Sequence, residues 1–246
     1  MPYPSLVLAI CFCIIRFVCT AETDAFLSDI SRAGERIFEE SKVFGVTVRQ
    51  CSCDEQTRCI EQIRSQARSC LDPCWNRLQS VTPNPAALRQ CVTNQGPMVT
   101  HFLRCINKSL HSCWPDRNGP QVPKQDFLKL VRLSEEKLES SKVIILRNPA
   151  LKSIEKLITA GISFGRCVKD CMSQMNARGS CFDQAQCQPS ISQNTARKTL
   201  RKCMKSIDWK KTASEFCDCA WHAGISELKS YCPVLRAMAR NRGQTQ

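Results

Sequence analysis

Histidine is scarce in this chain: His101, His111 and His222 are the only three in 246 residues. Imidazole chemistry is therefore limited to three positions, none with an obvious orienting partner nearby in sequence. Glycine is limited to nine residues. No hairpin signal joins two apolar runs, and no stretch keeps up period-two alternation, which argues against a β-rich fold. After residue 21 the apolar runs are only a few residues long, Val143–Leu146 being typical. This excludes a transmembrane helix and a hydrophobic tail for a lipid anchor.

Cysteine is what the chain has in excess, with 19 residues. Residues 1–21 read as a secretory signal peptide. Leu6–Ile15 is an apolar run of the right length, and Cys19-Thr20-Ala21 puts small residues before a cut at Ala21/Glu22. No Lys or Arg precedes the run and Arg16 interrupts its end. An uncleaved anchor is the competing reading, but the run is too short to span a bilayer. Cys11, Cys13 and Cys19 leave with the leader.

Sixteen cysteines remain, in two blocks of eight. The first holds Cys51, Cys53, Cys59, Cys70, Cys74, Cys91, Cys105 and Cys113. The second holds Cys167, Cys171, Cys181, Cys187, Cys203, Cys217, Cys219 and Cys232. An even number in an exported chain favours disulfides over zinc, even though CxC and CxxxC spacings are present. The connectivity stays open, apart from one constraint. Cys51 and Cys53 should not bridge each other, nor should Cys217 and Cys219, because so small a ring is strained. The expectation is eight intramolecular bridges, no free thiol, no metal and no cofactor.

The cysteines recur on helical apolar faces, as at Cys59, Ile60, Ile63, Ala67 and Cys70. The fold class expected is all-α, with disulfide-stapled helical subdomains packed irregularly. The chain divides into an N-terminal subdomain (22–113), a linker (114–123), a C-terminal subdomain (124–240) and a disordered tail (241–246). Three prolines and Asn118-Gly119 mark the linker. A helix is expected to restart at Asp72-Pro73, and Gly224 to stop the helix that carries Cys217. Cys70-x3-Cys74 resembles Cys167-x3-Cys171, and Cys74-x16-Cys91-x13-Cys105 resembles Cys187-x15-Cys203-x13-Cys217. The two matches need different registers, so one simple duplication does not produce both.

The sharpest enzyme-like string is Asp218-Cys219-Ala220-Trp221-His222. It resembles secreted phospholipases of the A2 type, in which a histidine follows a cysteine on a helix. That family requires two adjacent cysteines before the histidine, an Asp after it and a glycine-rich calcium loop. Here Asp218 precedes Cys219, Ala223 follows His222, and no such loop is present. A Cys/His nucleophilic pair would need a free thiol, which full pairing removes. No acidic residue sits in a distinctive motif. The chain therefore reads as non-enzymatic, with a small secreted hydrolase as the least favoured alternative.

Net charge is +13, and one less once Arg16 is removed with the leader. Such a chain favours anionic partners outside the cell. Basic residues are densest at Arg197, Lys198, Arg201, Lys202, Lys205, Lys210 and Lys211. The first five fall on one helix face, opposite Leu200, Cys203, Met204 and Ile207. A solvated surface competes with a polyanion-binding site as the explanation. Nucleic acid is not expected, because the chain is exported and the segment lacks interleaved aromatics. Asn107-Lys108-Ser109 is the only N-glycosylation sequon.

Cys167-x3-Cys171, Ser180-Cys181-Phe182-x4-Cys187 and Leu200-x2-Cys203 are similar to the chondroitin proteoglycan 4 domain. That domain is a cysteine-rich helical module of secreted proteins of the kind expanded in nematodes. The likeness covers roughly residues 164–232. It implies an extracellular matrix or eggshell role and nothing catalytic. The chain has no Ser-Gly dipeptide, so the resemblance does not extend to carrying chondroitin. The sequence thus points to a secreted, basic, cysteine-rich extracellular protein with a structural or binding role. The alternative is a binder of anionic glycans or membrane surfaces through a basic helix.

Overall fold

The computed structural model describes residues 23–147 and 149–240. The signal segment 1–21, its cleavage site at Ala21/Glu22 and the tail 241–246 lie outside the described residues. The fold is predominantly helical, as composition and periodicity led us to expect. Helix α1 (Thr23–Glu40) leads into strand β1 (Lys42–Gln50). Helix α2 (Cys53–Cys74) runs into a 3-10 helix (Trp75–Val81), followed by α3 (Pro85–Thr93) and α4 (Gly96–Leu110). Strand β2 (Gln121–Gln125) and helix α5 (Phe127–Leu146) come next. A 3-10 turn (Pro149–Ile154) opens α6 (Glu155–Met175). The last part holds α7 (Cys181–Gln184), β3 (Cys187–Gln188), α8 (Gln193–Lys205), α9 (Trp209–His222), a 3-10 turn (Ser226–Ser230) and α10 (Cys232–Arg240).

Eight bridges pair all sixteen cysteines from Cys51 to Cys232. Six join the first block to the second: Cys51–Cys187, Cys59–Cys181, Cys70–Cys171, Cys74–Cys167, Cys91–Cys219 and Cys105–Cys203. Cys53–Cys113 and Cys217–Cys232 close within a block. Neither CxC pair bridges internally, as ring strain dictates. The two CxxxC motifs bridge each other. Cysteines four apart lie on one helix face, so α2 and α6 meet along two successive rungs. The likeness of their spacing thus corresponds to two helices that face each other.

The largest apolar cluster surrounds α6. It gathers Ile158, Ile162, Phe164 and Val168 of α6 with Leu78 and Val81 and with Ala220, Leu228 and Leu235. Trp75 stands edge-on to Phe164 with ring centroids 5.9 Å apart. A second cluster buries Cys51, Cys59, Cys181, Phe182 and Cys187, and a third buries Phe102, Cys203 and Ile207 between α4 and α8. Each cluster contains at least one complete bridge or half of one, so the covalent staples sit where the apolar faces meet.

Three local details differ from the sequence reading. Helix α2 starts at Cys53, well before the apolar stripe that begins at Cys59. Ser52 caps it, accepting from the Glu55 N–H, while the Glu55 carboxylate accepts from the Ser52 N–H at 2.9 Å. Pro73 does not begin a new helix. It lies in the last turn of α2, and the chain tightens into the 3-10 helix from Trp75; proline supplies no N–H there, which favours ending the α-helical ladder. The third difference is a small sheet of order β2-β1-β3. β1 pairs antiparallel with β2 through Thr47↔Pro123, Val48↔Val122 and Arg49↔Gln121, with an irregularity between Lys42 and Thr47. It pairs parallel with β3 at Arg49↔Cys187 and Gln50↔Gln188. β1 escaped a period-two reading because Phe44, Gly45, Val46 and Thr47 are all exposed, so no apolar alternation is imposed there.

The turn-rich segment 114–123 is laid along this sheet. Trp114 exchanges backbone hydrogen bonds with Cys51 and Cys53 at 2.8 and 2.9 Å, and the Gln50 N–H donates to Pro120. A side chain at Gly119 would place its Cβ 2.5 Å from the Gln50 carbonyl oxygen, which only glycine avoids. Gly224 stops α9 as expected, with φ +98 and its N–H on the Trp221 carbonyl.

Candidate functional site

The site begins with α8, whose sequence QNTARKTLRKCMK contains no acid. Ser192 caps its N-terminus by accepting from the Thr195 N–H. Thr199 and Cys203 are buried, and Lys198, Arg201, Lys202 and Lys205 are exposed. The amphipathic division read from the sequence is therefore present. Lys202 and Lys205 also occupy the last turn, where the helix dipole favours cations.

The seven basic residues singled out in the sequence do not act alike. Arg197 turns toward α1, with its Nε 3.7 Å from Glu35, and Gln193 beside it reaches Glu39. Lys211 lies at the start of α9 with its Nζ 3.8 Å from Glu215. Its N–H is held by the Asp208 cap. Lys210 shares that first turn of α9, on the other side of Asp208 from α8. Lys198, Arg201 and Lys205 have no ion-pair partner among the described residues. Lys202 donates to the Ser109 hydroxyl at 3.3 Å. The compact group is thus Lys198, Arg201, Lys202 and Lys205 on α8.

That last contact brings in a second helix. α4 lies against α8 through the Cys105–Cys203 bridge, with Cα atoms 5.7 Å apart. The Thr199 hydroxyl donates to the Ser109 carbonyl at 3.3 Å, and the His101 ring lies 3.3 Å from the Ser206 hydroxyl. Residue numbers fall along one helix as they rise along the other, so α4 and α8 run antiparallel. α4, GPMVTHFLRCINKSL, also has no acid. His101, Arg104 and Lys108 are spaced i, i+3, i+7 on it, all exposed. Sequence reasoning missed Arg104 and Lys108. The signal available was the absence of any acid from residues 96–110, but two cations in a helix are unremarkable until a neighbour adds more.

Asn107 is exposed on α4, and its sequon serine is the residue that receives Lys202. His111 ends α4 in the left-handed region, with φ 43. His222, the centre of the hydrolase alternative, is exposed. Its Nδ1 lies 2.6 Å from the Asp218 carbonyl, and its ring packs on Trp221 with centroids 4.7 Å apart. The Asp218 carboxylate faces Arg236 at 3.8 Å instead. No His, Cys, Asp and Glu group suited to a metal occurs among the described residues. Among them, also, no helix is long and apolar enough to cross a membrane.

The most perturbed acid is structural. Arg49 grips Glu55 with two hydrogen bonds of 2.9 Å. This grip, aided by the Ser52 N–H and hydroxyl, outweighs burial and holds the Glu55 carboxyl at about 2. The pair fastens β1 to the start of α2. An open depression of about 310 Å³ lies between β1 and α7, lined by Val46, Val48, Lys124, Phe182 and Gln188 among others. Its only acid, Asp183, is committed to the cap of α7 through Ser180.

Sixteen paired cysteines are the pattern of a protein matured in an oxidising, extracellular-type compartment. Compared with protein-family models, with curated proteins and with solved structures, the chain matches none.

Proposed function

We propose that this chain is an exported, non-catalytic extracellular protein with a structural or binding role of the matrix type. The observation that supports it is the pairing of all sixteen cysteines, six bridges tying the two blocks into one cross-linked object. Such a framework is stable without a ligand and presents fixed surfaces, as extracellular binding modules require. The likeness of residues 164–232 to the chondroitin proteoglycan 4 domain agrees with this role. The test is expression of the full chain in secretory cells. Recovery from the medium with a new N-terminus near Glu22 and no alkylatable thiol agrees with the proposal. Retention of Leu6–Ile15, or ester hydrolysis abolished by His222→Ala, contradicts it.

A second reading is favoured by a specific observation: Lys198, Arg201 and Lys205 project from an acid-free helix with no ion-pair partner among the described residues. In this reading α8 binds anionic glycans or anionic membrane surfaces. The test is retention on a heparin column at matched salt. Arg201→Gln/Lys202→Gln/Lys205→Gln is compared with the charge-matched Arg178→Gln/Lys229→Gln/Arg240→Gln. Earlier elution of the first variant alone supports the reading. Equal elution shows that only net charge matters.

A further inference from the structure

We propose that α4 and α8 together form one binding site for a linear sulfated polysaccharide, a site that extends beyond the basic helix legible in the sequence. This deepens the second reading above and rests on it. Three contacts fix the geometry: Thr199 to Ser109, Cys203 to Cys105 and Ser206 to His101. The paired residue numbers sum to nearly the same value, so the helices keep one antiparallel register over about two turns. Lys198, Lys202 and Lys205 follow i, i+4, i+7 on α8, and His101, Arg104 and Lys108 follow i, i+3, i+7 on α4.

Both stripes lie on the same side of the seam. On α4, Phe102 is buried toward Cys203 and Ile207, and the basic stripe is on the opposite, exposed side. On α8, Cys203 points inward and Lys198, Lys202 and Lys205 point outward. Each stripe runs about 10 Å along its helix, from seven residues at 1.5 Å each. The helix axes stand roughly 8–10 Å apart. That separation is about one Debye length at physiological salt, roughly 8 Å. Their fields add rather than acting as separate lysines.

The neighbours do not cancel this field. Neither helix contains an acid. Glu35 and Glu39 stand on the α1 side of α8, where they meet Arg197 and Gln193, and Asp208, just past the end of α8, caps α9 by accepting from the Lys211 N–H. Arg104 and Lys108 have no ion-pair partner among the described residues.

The chemistry of the face selects among polyanions. Among the described residues the exposed large hydrophobic side chains are Phe44, Val46, Trp114, Leu128, Met175 and Val234, and none lies on α4 or α8. The seam therefore offers no apolar group to insert into a bilayer. Phe102, the one Phe, Tyr or Trp on α4, is buried and α8 has none, so the only exposed ring is His101, which lies against the Ser206 hydroxyl. What remains is two rows of cations on a rigid, covalently stapled pair of helices. A chain carrying sulfates at regular intervals, laid along the seam, meets both rows without either helix having to reorganise.

The experiment uses the oxidised full chain and a heparin-derived oligosaccharide of defined length at about 0.15 M salt. Arg104→Gln/Lys108→Gln removes the α4 row, at positions exposed to solvent. Affinity is expected to fall about thirtyfold, from roughly a factor of five per cation near an anionic surface. The charge-matched Arg178→Gln/Lys229→Gln should change it less than twofold. Fully desulfated oligosaccharide should not bind the wild type. If the α4 pair leaves affinity unchanged while Arg201→Gln/Lys202→Gln/Lys205→Gln weakens it, the two-helix site is wrong and the α8 reading stands. If the wild type does not bind the oligosaccharide, both fall. Binding to phosphatidylserine vesicles but not to the oligosaccharide overturns the polysaccharide and favours a membrane.

Discussion

Two helix seams in this protein treat their positive charges in opposite ways. At the seam between α5 and α6, Arg166 pairs with Glu135 at 3.3 Å and with Glu139, and Lys169 pairs with Glu135 at 2.7 Å and Asp170 at 2.8 Å. Burial would lower Lys169, but the hydrogen bonds its ammonium donates to Asp170 and Glu135 outweigh it and raise its titration above the usual lysine value. α5 contains no cysteine, so these pairs are part of what connects it to α6. At the seam between α4 and α8 the connection is a disulfide, and the cations face water with no acid on either helix. Where a bridge holds the helices together, charge is not needed for cohesion. The net charge of +13 is therefore unevenly available: neutralised in one seam and displayed in the other.

The largest effect should come from removing the bridge of the displayed seam. Cys105→Ala/Cys203→Ala leaves the small cluster of Phe102, Ile207 and their half-buried neighbours, with the hydrogen bonds of Thr199, Lys202 and His101, to join α4 to α8. A loss of about 2–4 kcal/mol is expected in denaturant unfolding, because the bridge closes a loop of 98 residues. A loss below about 1 kcal/mol would mean that these remaining contacts hold the seam.

Glu55→Gln probes the paired class at its buried extreme. The side chain is 6% exposed, and the substitution leaves Arg49 without its partner. A cost of about 2–3 kcal/mol is expected. The sign with pH follows from the lowered titration of the folded state. The contribution is complete above the ordinary value of 4.5 and is lost as pH falls through about 2. Between those values the wild type should lose stability on acidification more steeply than Glu55→Gln. Parallel curves would show that the pair does not matter.

Glu135→Gln should cost about 1 kcal/mol or less, since this pairing is partly exposed. It removes one negative charge and leaves Arg166 with Glu139 and Lys169 with Asp170, so the variant should elute slightly later from heparin. Smallest of all, Arg201→Gln/Lys202→Gln/Lys205→Gln should change thermal stability by no more than about 0.5 kcal/mol, because these side chains lie outside the core. A larger loss would place α8's cations in the cohesive class.

Much of this contrast was hidden in the sequence. The helices, the pairing of the cysteines and the outward face of α8 follow from local periodicity and parity. Residues 197–205 stand out because their charges are contiguous. Arg104 and Lys108 do not, because their significance comes from Cys105 meeting a cysteine 98 residues away. Connectivity cannot be read from eight cysteines per block, and here most bridges cross between blocks. β1 was missed for a different reason: its exposed Phe44–Thr47 segment has no buried face to impose alternation. The buried pairing of Gln188 with the Gln125 backbone, at 2.6 and 2.7 Å, is likewise a product of long-range folding.

The displayed seam depends on Cys105 meeting Cys203. Proteolysis of the secreted, alkylated, unreduced protein followed by mass spectrometry tests this directly. The account predicts a linked peptide pair containing Cys105 and Cys203, together with Cys70–Cys171 and Cys74–Cys167 as a double rung. A bridge from Cys105 to another cysteine of its own block, such as Cys91 or Cys113, would separate α4 from α8 and contradict it.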